Sequence, residues 1–131
     1  MQGRLFIGGQ WVDAASGATF ATIDPATEER IGDVARAGAA DVDRAVQAAH
    51  RALRGPWREL APAERGTLLL RLADLVAGAR EELARLETSD MGKPIGQARG
   101  DVDGVVATLV YNAGAADKIE GATIPLGPEV V

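Results

Sequence analysis

Near residue 38 the apolar residues change their spacing, and that change constrains the fold more than any other feature of the chain. Before it, apolar stretches only a few residues long are separated by Gly, Pro and polar turn residues. After it, apolar residues recur at three and four, the period of an amphipathic helix. Residues 4 to 12 carry two apolar stretches joined by Gly8-Gly9, whose freedom at positive φ suits a two-residue hairpin turn. Segments Thr19 to Asp24 and Arg30 to Ala35 flank Pro25-Ala26-Thr27-Glu28, which predicts a second hairpin.

The second half predicts about four helices. In the first, from Ala39, Val42, Ala45, Val46, Ala49 and Leu53 share one face, with Asp41 and Asp43 near its start and Arg51 and Arg54 near its end. Gly55-Pro56 stops it. Pro62 opens the second, where a first-turn proline is tolerated, and its stripe of Leu69, Leu72, Leu75 and Val76 runs to Gly78. The third covers Arg80 to Asp90, with Leu83 and Leu86 as apolar contacts and Glu81 and Arg85 spaced as an i,i+4 pair. Gly92-Lys93-Pro94 then ends it: Gly92 suits a left-handed cap, Lys93 complements the carbonyl end and Pro94 cannot continue. The longest helix runs from about Ile95 to Glu120 on Val102, Val105, Val106, Leu109, Val110, Ala113 and Ala116. Gly100, Gly104 and Gly114 each weaken it by about 1 kcal/mol relative to alanine, so they point to close packing or to room for something else.

Charge and composition narrow the function. The net charge of −5, with 14 basic residues scattered along the chain, makes nucleic acid and anionic membrane poor partners. No apolar run approaches the roughly 20 residues that span a bilayer and the N-terminus has no signal-peptide core, so a cytoplasmic location is the default. With no cysteine, the chain has no disulfide, no thiolate zinc site and no thiol nucleophile. Glu87 and Pro94 occupy places where a phosphate-binding P-loop needs glycine and a hydroxyl, and no G-x-G-x-x-G follows a strand. His50, the single histidine, has no recognisable metal or triad partners, and suits the border of a helix face. On a helix Asp101 and Asp103 point about 200° apart, so they read as solvated surface charge or helix N-terminal charge and not as an acid and base couple. Trp11, Trp57 and Tyr111 are expected to pack.

The ordered blocks of the chain resemble the opening of the NAD(P)-dependent aldehyde dehydrogenase superfamily. They are Leu5 to Val12, Asp24-Pro25-Ala26-Thr27-Glu28, Asp41 to Val46, Pro56-Trp57, Pro62-Ala63-Glu64-Arg65, Leu72 to Leu75, Asp90 to Pro94, Tyr111 to Lys118 and Gly121 to Pro125. Departures are Asp24 where asparagine is frequent, Met91 where asparagine often precedes Gly-Lys, and Glu28 where glycine often closes the turn. The resemblance implies an α/β fold: residues 1-131 as the N-terminal part of a coenzyme-binding domain, two β-hairpins and about four helices. It also implies that the chain stops before the nucleotide site, the general-base glutamate and the nucleophilic cysteine.

In that family a cysteine thiolate attacks an aldehyde, hydride passes to NAD or NADP, and water releases a carboxylic acid. The resemblance therefore implies a fragment of an oxidoreductase, inactive by itself, whose complete form takes an aldehyde substrate and assembles as a homo-oligomer. It matches Gly100 and Gly104 to positions facing the substrate tunnel. It matches Thr22 and Ile23, through their carbonyls, and Asp90 to the ligands of a monovalent cation, Na+ or K+, that some members bind. The alternative is a stand-alone helical interaction module without catalysis. The stripe from Val102 to Ala116 and Leu68-Leu69-Leu70 disfavour it, because they suit burial against more protein and predict self-association of the chain alone.

Overall fold

The computed structural model describes residues 3–121. Strands β1 (Leu5–Ile7) and β2 (Gln10–Val12) form an antiparallel hairpin with Leu5 opposite Val12 and Phe6 opposite Trp11. Its turn places Gly8 and Gly9 at φ 61° and 81°, which only glycine adopts without strain. Strands β3 (Thr19–Ile23) and β4 (Arg30–Ala35) form a second hairpin, with a bulge where the register passes from Thr22–Gly32 to Ile23–Arg30. The Asp24 carboxylate shapes that turn by accepting the Ala26 amide at 2.8 Å. Glu28 closes it at φ 62°, the left-handed conformation that the missing glycine would have supplied. The hairpins are separate two-stranded sheets.

Five helices follow among the described residues: α1 (Ala39–Arg54), the single turn α2 (Pro56–Glu59), α3 (Pro62–Gly78), α4 (Arg80–Met91) and α5 (Ile95–Ala115). Sequence spacing missed α2, since Gly55-Pro56 both stops α1 and starts a new turn with proline at a first-turn position. At the end of α4, Gly92 stands at φ 73° and donates its amide to the Thr88 carbonyl at 2.9 Å, the left-handed cap its sequence predicts. Helix α5 ends at Ala115, not near Glu120. The Lys118 ammonium takes the Gly114 carbonyl at 2.7 Å and the Lys118 amide takes that of Ala115 at 3.0 Å, so the last carbonyls are bonded in a turn and not by further helix.

Helices α3, α4 and α5 form one layer in which α5 packs against both others. Its core is made of small side chains: Ala84, Ala98 and Val102, with Val76 and Ile95 beside them. Along α5 the inward line is Ala98, Val102, Val106, Leu109, Ala113 and Ala116, whereas Val105 and Val110 are exposed. The α1 face of Val42, Val46 and Leu53 is likewise exposed, 55%, 49% and 61% respectively, because among the described residues nothing packs on it. Trp11 and Trp57 are half-exposed; Trp11 lies against Phe6 with ring centroids 4.9 Å apart, and the Arg65 guanidinium sits 6.0 Å above the Trp57 ring. Tyr111, expected to pack, is 76% exposed, since it points away from the inward line of α5.

Candidate functional site

The residues singled out by sequence fall in two places. Gly100 and Gly104 lie one helical turn apart on α5, and Tyr111 continues the same stripe almost two turns on. All three are exposed, opposite the inward line that meets α3 and α4. A Cβ added at Gly100 or Gly104 would meet nothing within 4 Å, so packing among the described residues does not require either glycine. Packing does require glycine at Gly66 of α3, as it does at Gly3, where an added Cβ would meet the Asp33 carbonyl. A Cβ at Gly66 would stand 2.7 Å from the Ala113 carbonyl oxygen, where α3 and α5 cross. The sequence signal of Gly66 was a lone glycine at the start of a leucine-rich helix.

Thr22, Ile23 and Asp90 come from the second hairpin and the end of α4. These two segments meet where Gly92 approaches Pro25, whose Cγ would lie 3.0 Å from a Cβ added at Gly92. Thr22 and Ile23 sit opposite the bulge of β4, where the register passes over Ile31. Asp90 is exposed and makes no hydrogen bond or ion pair among the described residues. Two residues earlier, on another face of α4, the buried Thr88 hydroxyl has no hydrogen-bond partner among the described residues either. No cluster of three or more His, Cys, Asp or Glu side chains suits a metal ion among the described residues.

Charge on the α4–α5 layer is committed to structure. Arg80 holds Asp103 by two bonds of 2.7 Å, and Arg99 holds Glu81 by two of 2.9 Å. Glu81 thus pairs across the helices with Arg99, and with Arg80 beside it, instead of with Arg85 on its own helix. Lys93 bridges Glu87 and Asp101, so it serves the α4–α5 junction more than the helix carbonyls. These bonds hold the Asp103 and Glu81 carboxyls below the usual carboxylate range and raise Lys93, chiefly through Asp101 and then Glu87. His50 is exposed on α1 with Gln47, Arg51 and Arg54 around it.

The strand-to-helix junction from β4 to α1 is where a dinucleotide phosphate would be sought. It does not fit one. Asp41 of the first turn turns its carboxylate back onto the Gly38 amide at 3.0 Å, placing a fixed negative charge where a pyrophosphate would sit.

The sequence matches the model of the Aldehyde dehydrogenase family over residues 11–131. The chain belongs to that family. Human retinaldehyde dehydrogenase 3 is 47% identical over 131 residues, covering 98% of this chain and 26% of its own length. Mitochondrial aldehyde dehydrogenase family 2 member B4 of Arabidopsis thaliana is 49% identical over 124 residues, covering 93% and 23%. The crystal structure of PnpE in complex with nicotinamide adenine dinucleotide superposes with a TM-score of 0.91 at 47% identity, covering 98% and 26%. The chain therefore spans about a quarter of the length of the relatives it matches, and its two hairpins and helices are the N-terminal part of the aldehyde dehydrogenase fold. No described helix is long and apolar enough to cross a membrane.

Proposed function

We propose that this chain is the outer part of the coenzyme-binding half of an enzyme that oxidises aldehydes to carboxylic acids with NAD or NADP, and that it performs no chemistry alone. The observation that carries this reading is the pairing of a family match over residues 11–131 with a sequence that contains no cysteine. The nucleophile has to come from outside these residues, and no described group replaces it. The β4–α1 junction, closed by Asp41, does not receive the dinucleotide, so the coenzyme has to be held elsewhere. Purified 131-residue protein mixed with NAD and an aldehyde is expected to produce no reduced nicotinamide; aldehyde-dependent reduction by mass-verified protein would refute the proposal.

Within the complete enzyme, the bare stripe of Gly100 and Gly104 on α5 faces the substrate tunnel, and the missing side chains widen its entrance. Exposure of both positions with open space above them supports this role. Thr22, Ile23 and Asp90 contribute oxygen donors to a Na+ or K+ site beside the second hairpin, a donor set suited to a hard cation. Titration of the intact enzyme with either salt should raise its melting temperature, and no stabilisation would remove the cation. A cytoplasmic homo-oligomer is the expected form of that enzyme. The interaction-module reading has no observation in its favour, since the exposed apolar faces of α1 and α5 are those of an element awaiting cover.

A further inference from the structure

Asp41 is the buried charged side chain of the described residues, 2% exposed, and it joins the start of α1 to the β2–β3 turn. Its Oδ1 and Oδ2 accept the Ala15 amide of the β2–β3 turn at 3.0 and 3.2 Å. Oδ2 also accepts the Gly38 amide at the start of α1, and Oδ1 accepts Arg44 Nη1 at 3.4 Å. Gly38 has no side chain to cap the helix, so Asp41 supplies the polar group that both α1 and the turn need. At its other end the hairpin touches α1 through an apolar contact: the Gly8 turn lies over the Ala48 methyl, where an added Cβ would be 3.7 Å away. Around the second point the hairpin and α1 leave an open groove lined by Phe6, Ile7, Ala45, Ala49 and Ala52.

We propose that Asp41 is a latch that seats the first hairpin on α1, and that removing or neutralising its carboxylate frees the hairpin from α1, leaving it tied to β4 where the Ala35 amide donates to the Gly3 carbonyl at 2.6 Å, while the α3–α5 layer stays folded. The physical reason is an imbalance of contacts. The hairpin is short, Phe6 and Trp11 are half-exposed or more, and little apolar area replaces the latch once it opens. The α3–α5 layer shares no residue with it. From the β2–β3 turn only the Ala15 amide faces the carboxylate, since Asp13 is taken by Arg4 at 2.9 Å; from α1 the Gly38 amide and the Arg44 guanidinium face it. Those amides, Gly38 first and then Ala15, hold the carboxyl below the usual aspartate range against the opposing effect of burial.

Proton NMR of the 131-residue chain tests the latch through two cross-peaks. One joins the Gly8 α-protons to the Ala48 methyl, and the other joins the Gly66 α-protons to the Ala116 methyl across α3 and α5. In Asp41→Asn, one amide hydrogen faces a donor in place of an acceptor, and the first cross-peak is expected to vanish while the second persists. Arg44→Ala should keep both, because the backbone bonds remain. In the unmodified chain the Ala15 and Gly38 amide resonances should shift together on acidification with one midpoint below that of an ordinary aspartate. Persistence of the Gly8–Ala48 peak in Asp41→Asn, loss of both peaks together, or loss of the first in Arg44→Ala would each overturn the latch.

Discussion

At Gly66 the backbone of α3 comes so close to α5 that an added Cβ would stand 2.7 Å from a carbonyl oxygen, whereas at Gly104 it would meet open space. Two substitutions of the same chemistry should therefore have opposite signs. Gly104→Ala gains the helix propensity that glycine forfeits, about 0.5–1 kcal/mol. Gly66→Ala gains the same but overpacks a backbone contact, for a net loss of about 1–2 kcal/mol. Urea unfolding of both variants checks the pair; equal signs would show that the crossing is looser than its geometry. Glu28 offers a third case. Its φ of 62° is costly for a side chain with a Cβ, so Glu28→Gly should stabilise the chain by up to about 1 kcal/mol in the same measurement. The departure at Glu28 was readable only through the family resemblance, in which glycine often closes this turn. The roles of Gly66 and Asp41 were not, since each depends on a partner far along the chain.

Helices α4 and α5 are joined by the ion pairs of Arg80 with Asp103, Glu81 with Arg99, and Lys93 with Asp101. Each folded carboxyl of the first two pairs sits below its ordinary value, so their contribution is present above the ordinary carboxylate range, about pH 4, and is lost as pH falls through the folded value. Thermal melts between about pH 7 and about pH 3 should show stability falling toward acid, and Arg80→Ala should flatten that slope. Because the pairs are exposed, about 1 M salt should shrink the difference between Arg80→Ala and the unmodified chain. An unchanged difference would assign the effect to packing by the arginine stem. Helix existence, order and most boundaries were legible from apolar period, Pro and Gly. The pairing of Glu81 was not, because sequence spacing exposes only neighbours on the same helix, and the cross-helix partner is set by how α4 folds back on α5. The end of α5 was missed for a similar reason: Lys118 stops it with a side chain that, by composition alone, could equally have extended it.

The molecule as a whole buries alanine and exposes leucine. Val102 is the largest buried hydrophobic residue described, while Leu53, Leu70, Leu72, Leu75 and Ile119 all remain exposed. Such surface seeks cover, so the isolated chain should bind a hydrophobic fluorescent dye and sediment as concentration-dependent associates. Val46→Asp combined with Leu53→Lys should lower both signals; a compact monomer with no dye binding would revive the interaction-module reading. The family was legible because its blocks recur in order along the chain. The proposed tunnel and cation roles of Gly100, Gly104, Thr22, Ile23 and Asp90 rest on that likeness alone, since bare glycines and carbonyl donors carry no chemical signature of their own. The three-residue joint from Gly92 to Pro94 has a kinetic consequence. Bringing α5 back onto α4 closes only a short loop, so its entropic barrier is small compared with that of setting α3 across α5. The α4–α5 pair is thus the natural nucleus of this chain: substitutions at Ala84 or Ala98 should slow refolding, and those at Gly66 should mainly hasten unfolding.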